Sequence, residues 1–261
     1  MKLRCLVFDI GNTHSVIGVY VDGSLAHSWR LATDKRRTED EHFCLLSDLL
    51  RNAGVRVGDF DICALASVVP DLTRVFSRLV EKYVGCQLVV VNGYTNLGLR
   101  FPMPDPGFIG ADLIVNAYAA WRKYQRPCAV CDFGTATTIQ LTDAEGFYIG
   151  AVIIPGLLSS ASSLFDRAAL LAHIELESPE TLLGVDTRGA LQSGILNGAA
   201  FMLDGFLTRI RAEYAHLGPI HAIGTGGIAP LVCGLSETIN CVDRTLTLDG
   251  LHLICQRFHT A

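Results

Sequence analysis

An α/β fold made of two related halves is predicted for this 261-residue chain, and three observations support the prediction. Apolar stretches typical of strands alternate with amphipathic stretches typical of helices. An Asp-x-Gly turn at Asp9 recurs at Asp132, 123 residues later (132 − 9), which indicates a duplication. Half of the residues are hydrophobic, so the chain can bury a substantial core. We place the two halves at residues 1–115 and 116–261.

The first half opens with a predicted hairpin meander of three strands, Leu3–Asp9, His14–Val21 and Ser24–Leu31, with Asp22-Gly23 as a tight hairpin turn. Thr38, followed by Glu41, predicts a capping box at the start of a helix. The other predicted elements of this half are a strand at Phe60–Ser67, a helix at Asp71–Tyr83, a strand at Leu88–Val91, a loop at Asn92–Ile109 and a helix at about Ala111–Tyr124.

The second half repeats the opening theme. Strands are predicted at Ala129–Asp132, Thr138–Leu141 and Phe147–Ile154, with a turn at Gly134 after the first of them. Further along, the predicted elements are a long apolar helix at Gly189–Tyr214, a strand at Ile220–Ile223 and a short helix after a glycine cluster.

Composition narrows the class of protein. Twenty-one basic and 26 acidic residues give a net charge of −5 with no long run of either sign, which argues against a protein of nucleic acids or membrane surfaces. The first apolar stretch is interrupted by Asp9 and is too short for a signal peptide or a membrane span, so a cytoplasmic protein is expected. The nine scattered cysteines do not suggest a disulfide framework, and Cys128 and Cys131 are interpreted as core residues of a strand.

The two Asp-x-Gly turns suit phosphate chemistry. Glycine lets backbone N–H groups approach an anion, and Asn12, Thr13, Thr135 and Thr137 can donate hydrogen bonds from their side chains. The carboxylates of Asp9 and Asp132 repel phosphate, so they require a cation, either Mg²⁺ or a monovalent ion. One such turn is typical of an ordinary strand end, but two copies in the same register favour a phosphate site.

Two further motifs each have a structural and a functional interpretation. The cluster Gly224-Thr225-Gly226-Gly227 is either a tight strand-to-helix turn or a place where adenine or ribose approaches the backbone, and its order after the two acidic turns favours the second. In Gly110-Ala-Asp112 the acid either stabilises a helix N-terminus or takes the proton from an attacking hydroxyl group. The local residues leave both interpretations of Asp112 open.

Taken together, these motifs resemble the type III pantothenate kinases, bacterial members of the actin-like kinase superfamily. The resemblance covers nearly the whole chain and rests on an ordered set of motifs: Asp9-Ile-Gly-Asn-Thr13, Ser67-Val-Val-Pro70, Gly110-Ala-Asp112 with Val115-Asn116-Ala117, Asp132-Phe-Gly-Thr-Ala-Thr-Thr138, Ile154-Pro-Gly156, Thr187 ahead of Ser193-Gly194, and Thr225-Gly-Gly227. It implies two actin-like (ribonuclease H-like) domains, each a mixed sheet with flanking helices. It also implies a kinase that uses ATP to convert pantothenate to 4'-phosphopantothenate, the first step of coenzyme A biosynthesis.

The resemblance further implies a role for each matching residue. Asp112 would be the general base and Asp132 would bind a monovalent cation (K⁺ or NH₄⁺). Asp9 is a second candidate metal ligand, and Mg²⁺ is expected as a cofactor with ATP. The residues implied to contact ATP are Asp9, Ile10, Gly11, Asn12, Thr13, His14, Ser15, Val16, Thr135, Gly226 and Gly227. The residues implied to contact pantothenate are Met103, Gly110, Ala111, Asp112, Leu113 and Thr187, the last of them reaching into the partner subunit of a homodimer.

Two positions depart from the family pattern. Leu113 stands where the family usually has arginine, and Met103 stands where it has tyrosine. Arginine can bind a carboxylate through two charged hydrogen bonds and leucine cannot, so the departure affects the acceptor rather than ATP. Arg100 is a candidate replacement. A kinase of a different hydroxyl compound and a catalytically weak regulatory homologue are the alternatives, and the intact acids of the three motifs count against the latter.

Overall fold

The computed structural model describes residues 3–167 and 174–259. The chain forms two compact units, one of Met1–Ala119 with Thr245–Ala261 and one of Ala120–Arg244. Each unit contains one five-stranded mixed sheet with flanking helices, so the predicted α/β fold is confirmed. The units differ from the halves expected from the sequence because the end of the chain returns to the first unit.

The sheet of the first unit begins with the predicted meander. Its strands are β1 (Arg4–Ile10), β2 (His14–Val21), β3 (Ser24–Ala32), β4 (Ile62–Ser67) and β5 (Gln87–Val90), in the order β3-β2-β1-β4-β5. The first three strands are antiparallel, and β4 and β5 run parallel to β1. Asp22 and Gly23 both have positive φ (51° and 84°), as a tight hairpin turn requires.

The sheet of the second unit has the same topology. Its strands are β6 (Cys128–Phe133), β7 (Ala136–Thr142), β8 (Tyr148–Pro155), β9 (His221–Gly226) and β10 (Cys241–Val242), in the order β8-β7-β6-β9-β10. Asp9 of β1 lies opposite Val16 of β2, and Asp132 of β6 lies opposite Thr138 of β7. The two acids therefore occupy the corresponding strand of each sheet, as a duplication predicts.

Seven helices are described. They are α1 (Glu39–Asn52), α2 (Pro70–Leu79), α3 (Ala111–Tyr124), α4 (Leu157–Arg167), α5 (Thr187–Glu213), α6 (Ala229–Cys233) and α7 (Leu246–His259). The capping box of α1 is present, because Glu41 Oε2 accepts a hydrogen bond from Thr38 N–H at 2.8 Å and Thr38 Oγ1 accepts one from Glu41 N–H at 3.4 Å. In the described part of the chain, no helix combines the length and apolar character that a membrane crossing needs.

Each unit has its own apolar core. In the first, Phe8 of β1 packs on Phe76 of α2 with ring centroids 5.2 Å apart, and α7 packs against β1 and β4. In the second, β6 and α5 contribute fully buried residues such as Ala129 and Leu203. Cys128 and Cys131 are also buried in β6, and burial raises the pKa of the Cys128 thiol to about 12. The interpretation of this cysteine pair as core is consistent with that burial.

Several elements differ from the sequence-based expectations. Helix α2 ends at Leu79 and is followed by a turn of π-helix at Val80–Val84, where one longer helix was predicted. The elements α4, β10 and α7 were not predicted. Helix α7 contains Gly250, and glycine disfavours a helix interior, so the local sequence does not favour a helix there. In the structure a Cβ at Gly250 would lie 2.7 Å from Val115 Cγ1, so the close packing of α7 on α3 requires glycine.

Candidate active site

The first Asp-x-Gly turn joins β1 to β2 and is closed by a backbone hydrogen bond. Gly11 N–H donates to the carbonyl oxygen of His14 at 3.0 Å. A Cβ at Gly11 would lie 2.9 Å from that oxygen. Glycine therefore fits this turn, whereas a larger residue would push the His14 carbonyl away. Asp9 is half-buried near the end of β1, and Asn12 and Thr13 are exposed at the tip. The turn thus brings together one carboxylate and two side chains that can form hydrogen bonds.

Thr33 directly follows β3 and fastens this turn from the side. Its hydroxyl donates to the Gly11 carbonyl at 2.8 Å and lies 2.9 Å from Ser15 Oγ, and its N–H donates to the Thr13 carbonyl at 2.9 Å. Ser15 is buried, so Thr33 satisfies a hydroxyl group that is shielded from water. Thr33 was not among the predicted site residues, because its position depends on the register of β3 against β2.

Two cationic side chains border the same turn. Lys35 Nζ donates to Asn12 Oδ1 at 3.5 Å, and Arg30 Nη2 lies 2.9 Å from His14 Nδ1. Burial and the charge of Arg30 both lower the pKa of His14, which favours a neutral imidazole at pH 7. The other predicted ATP contacts of this segment lie within strands and are buried or half-buried: Ile10 and Val16.

Asp112 lies in the first turn of α3, and its carboxylate is held by the local backbone. Leu113 N–H donates to Asp112 Oδ1 at 2.8 Å. A Cβ at Gly110 would overlap Oδ1, so glycine leaves the space that the carboxylate occupies. Burial raises the pKa of the Asp112 carboxyl above its usual value, and backbone N–H groups offset part of this effect. A carboxylate with a raised pKa accepts a proton more readily, as a general base must.

The loop between β5 and α3 carries Met103, another residue predicted to contact the substrate that accepts the phosphoryl group. Tyr94 Oη donates a hydrogen bond to Asp105 Oδ1, which ties two parts of the loop together. Met103 and Phe108 are exposed on this loop, Phe108 to 92% of its surface. Two apolar side chains of the loop are therefore accessible to a small molecule.

In the second unit, the corresponding turn joins β6 to β7. Gly134 N–H donates to the Ala136 carbonyl at 3.1 Å, which reproduces the hydrogen bond of the first turn with a shorter loop. Asp132 is half-buried, Thr135 is exposed and Thr137 is buried. Of the two threonines that follow the acid, Thr135 is the one accessible to a ligand.

Gly226 ends β9 and lies directly beside Asp132. Its φ is 95°, and a Cβ there would lie 2.6 Å from the Phe133 carbonyl oxygen and 2.7 Å from Asp132 Oδ1. Only glycine allows the strand to approach this carboxylate so closely. The predicted strand Ile220–Ile223 is too short, because β9 continues through Gly226 and only Gly227 of the glycine cluster lies beyond it.

The atoms around Asp132 are of the kind that alkali cations bind. Such cations take carboxylate and carbonyl oxygens as ligands, and Asp132 Oδ1 and the Phe133 carbonyl both border Gly226. Across residues 3–167 and 174–259, no group of three or more His, Cys, Asp or Glu side chains is arranged to hold a metal ion. The oxygen atoms beside Gly226 are therefore chemically suitable ligands for an alkali cation.

Thr187 is the first residue of α5 and is exposed. The preceding Asp186 caps the helix, since its Oδ1 accepts a hydrogen bond from Gly189 N–H at 2.7 Å. The segment just before the cap is apolar yet exposed, with Leu183 at 84% and Val185 at 101% of full exposure. Thr187 therefore adjoins an exposed apolar segment, the kind of surface that often contacts another molecule.

Comparison with known proteins decides the family. A family model described as "Type III pantothenate kinase" matches residues 5–209. The chain belongs to the type III pantothenate kinase family. The resemblance inferred from the motifs is thereby confirmed, and with it the expectation of an ATP-dependent phosphotransferase.

Curated relatives named "Type III pantothenate kinase" match almost the whole chain. The protein of Desulfosudis oleivorans is 42% identical over 250 residues, covering 95% of this chain and 97% of its own. The protein of Thermomicrobium roseum is 41% identical over 254 residues, covering 97% of each chain. The protein of Bacillus cytotoxicus is 39% identical over 251 residues, covering 96% and 95%.

Solved structures with little sequence similarity share the fold. A ROK family glucokinase from Streptomyces griseus has a TM-score of 0.56 and 11% identity, covering 97% of this chain and 99% of its own. An inorganic polyphosphate/ATP-glucomannokinase from Arthrobacter sp. strain KM has a TM-score of 0.50 and 13% identity, covering 98% and 100%. These matches support the duplicated actin-like fold alone.

Both departures from the type III pantothenate kinase motifs lie in the first unit. Leu113, where the motif has arginine, is only 9% exposed and belongs to the apolar face of α3. Met103, where the motif has tyrosine, is 38% exposed on the loop before that helix. The residue directly after Asp112 is therefore apolar in this chain.

Proposed function

We propose that the protein phosphorylates pantothenate with ATP, giving 4'-phosphopantothenate and ADP, the first step of coenzyme A biosynthesis. The observation that carries the proposal is Asp112. It is a half-buried carboxyl group with a raised pKa next to a glycine that makes room for it, in a chain that matches type III pantothenate kinases over 95–97% of its length. Proton removal from an alcohol acceptor needs such a group.

The first turn is proposed to hold the phosphates of ATP. Gly11 permits close approach of the backbone, and Asn12 and Thr13 are exposed donors at the tip. Asp9 is the proposed carboxylate for Mg²⁺, which, when bound with ATP, supplies positive charge against the phosphates. The Lys35 ammonium, 3.5 Å from Asn12 Oδ1, adds a positive charge from the protein itself.

Asp112 is proposed to accept the proton of the primary hydroxyl of pantothenate. As that oxygen attacks the γ-phosphorus, the bond from phosphorus to the bridging oxygen breaks, and ADP leaves with the electron pair. The hydrogen bond from Leu113 N–H holds the carboxylate in one orientation, so the proton acceptor is fixed before the acceptor substrate arrives. Gly110 and Ala111 are proposed to contact the substrate through their backbone.

In the second unit, Asp132 is proposed to bind K⁺ or NH₄⁺ together with neighbouring carbonyl oxygens. Thr135 is proposed to donate its hydroxyl hydrogen bond to the nucleotide, since it is exposed on the turn after the acid. Gly226 and Gly227 are proposed to allow adenine or ribose to lie against the backbone at the end of β9.

The carboxylate of pantothenate needs a partner other than residue 113. Arg100 is exposed and lies in the same loop as Met103, three residues before it, so it is the proposed replacement. A kinase acting on a less acidic hydroxyl compound is the second candidate, motivated by Leu113, although the names of the relatives do not favour it. Thr187 is proposed to contact pantothenate through its exposed hydroxyl.

A cytoplasmic homodimer is the proposed working state. The exposed apolar segment before α5 and the exposed Phe201 and Met202 of that helix support a partner subunit, because large contiguous apolar patches are uncommon on the surface of monomers. All nine cysteines are free thiols, which is compatible with a reducing compartment.

The decisive experiment measures ADP release with pantothenate beside a panel of related hydroxy acids and hydroxy amides, with and without K⁺. We expect pantothenate to be the preferred acceptor and K⁺ to stimulate its turnover. Preference for an uncharged amide would move the assignment to the second candidate. ATP binding without turnover of any acceptor would favour a regulatory homologue.

A further inference from the structure

Two thiols of the first unit are in contact. Cys63 lies in β4, and Cys86 directly precedes β5, the edge strand that pairs in parallel with β4. Their Sγ atoms are 3.4 Å apart. A disulfide bond requires an S–S distance of about 2.05 Å, so the two sulfur atoms must move closer together to form it. Neither cysteine belongs to a motif of the proposed active site.

The two thiols differ in accessibility and in acidity. Cys63 is fully buried, whereas Cys86 is only half-buried. The hydrogen bond between the two thiols lowers the pKa of Cys86, and the same contact together with burial raises the pKa of Cys63 well above its usual value. A lowered pKa increases the thiolate fraction at neutral pH, and the thiolate is the form of the accessible cysteine that attacks a disulfide.

We propose that Cys86 and Cys63 form a thiol–disulfide exchange site, whose substrate is a small organic disulfide of the glutathione type. The half-buried sulfur attacks first, and its buried neighbour resolves the product. The site joins the edge strand of the first sheet covalently to the strand beside it. It is independent of the proposed kinase activity.

The exchange balances as follows in atoms and electrons. The Cys86 thiolate attacks one sulfur of the disulfide R–S–S–R, forming a mixed disulfide and releasing one R–S⁻, which takes up the proton that Cys86 lost. The charge of the Cys86 thiolate, one cause of the raised pKa of Cys63, is then gone. Cys63 loses its proton and attacks the Cys86 sulfur, which breaks the mixed disulfide and releases the second R–S⁻, and that thiolate takes up the proton that Cys63 lost. The two cysteines are oxidised, and the small disulfide is reduced to two thiols.

The chain supplies its own controls. Cys44 of α1 is an exposed single thiol, so exchange there stops at the mixed disulfide. Cys5 and Cys255 form a second pair of neighbouring thiols, but both are fully buried, so an external disulfide does not reach them in the folded protein. The three classes of thiol predict three different products from one reaction.

The test treats the folded, full-length protein with oxidised glutathione and maps the products by mass spectrometry without reduction. We expect three products: a Cys63–Cys86 disulfide with no glutathione attached to either cysteine, a glutathione adduct on Cys44, and unmodified Cys5 and Cys255. Dithiothreitol should return the starting protein. Glutathione on Cys44 alone, or an adduct on Cys86 that never resolves in the wild type, would overturn the proposal.

Two variants separate the steps. Cys63→Ser should hold glutathione on Cys86 as a stable adduct, because the resolving sulfur is absent. In Cys86→Ser, Cys63 should react at least about tenfold more slowly than the wild-type pair, because the accessible thiolate is absent. Modification of Cys63 in Cys86→Ser at the wild-type rate would contradict the assignment of Cys86 as the attacking thiol, even if Cys63→Ser fails to fold.

Discussion

Asp112 is the residue whose surroundings most restrict its chemistry, since glycine makes room for it and a backbone N–H fixes it. Asp112→Asn is expected to reduce kcat by about 10²–10⁴-fold while ATP still binds, because only proton removal is lost. The matched control, Asp71→Asn, changes an exposed acid in the first turn of α2 and should leave kcat unchanged. Loss of ATP binding in Asp112→Asn would point to a metal ligand instead.

The pH dependence of the rate gives a second check on the same residue. A general base acts when deprotonated, so kcat/KM should fall as pH falls through the pKa of Asp112. Because burial raises that pKa, the acidic limb should lie above the usual Asp value of about 3.9. In Asp112→Asn this limb should vanish from the residual activity. A limb that persists in the variant belongs to another group.

Thr33 tests whether the first turn must be held in place. Thr33→Val keeps the shape but removes the hydroxyl that bonds the Gly11 carbonyl and buried Ser15. We expect the KM for ATP to rise about tenfold, or 1.4 kcal/mol, with pantothenate KM little changed. Thr33→Ser restores the hydroxyl and should recover most of the loss. Equal effects of the two substitutions would indicate a packing role only.

Leu113→Arg introduces the arginine expected from the family motif beside Asp112, the proposed general base. If Arg100 replaces it only partly, the variant should lower the KM for pantothenate about tenfold with kcat little changed, because the carboxylate is remote from the reacting hydroxyl. A thermal melt reports separately the cost of replacing a buried leucine. A higher KM in the variant would mean that Leu113 belongs to a repacked acceptor pocket.

At the scale of elements, the sequence predicted well those features that depend on residues close together in the chain. The hairpin β2–β3, the capped start of α1 and the span of α3 depend on neighbouring residues, and their bounds agree with the structure to within about one residue. The extension of β9 through Gly226 and the fastening of the first turn by Thr33 depend on pairing between distant segments. A single sequence carries no direct signal for such pairing, which is also why the contact between Cys63 and Cys86 was not foreseen.

Helix α7 provides the prediction at this scale. Gly250→Ala is expected to destabilise the protein by about 1–3 kcal/mol, because the new methyl group would press on the Val115 side chain and backbone and on Ala119. The melting temperature should fall by about 2–4 °C per kcal/mol. Gly205→Ala is the control: this exposed position in α5 has open space, so alanine should raise helix stability slightly. Equal melting temperatures for both variants would contradict the packing of α7 on α3.

The scale of the whole molecule concerns duplication and assembly. One strand order, used twice, places an Asp-x-Gly turn at the same position of each sheet, which is why one motif could be recognised from the other. The surface of the proposed homodimer is harder to predict from the sequence, because only the structure shows that Leu183 and Val185 are exposed.

Val185→Glu tests the proposed homodimer. Burying a charge from the exposed apolar segment before α5 against a partner subunit should destabilise the dimer. We therefore expect the variant to sediment as a monomer at a micromolar concentration at which the wild type is a dimer. Val242→Glu, at an exposed position in β10, is the control and should remain dimeric. A wild-type monomer with full activity would exclude the dimer as the working state.

The return of α7 to the first unit also affects the order in which the protein is completed during synthesis. Residues 245–259 leave the ribosome only after the whole of Ala120–Arg244, so the second unit is a continuous stretch that can close while the first still lacks its last helix. Until then β1 and β4 expose the apolar surface that α7 later covers. A nascent chain stalled before Leu246 should therefore be sensitive to proteases in its earliest residues rather than its latest, with Asp9 in the part that is finished last.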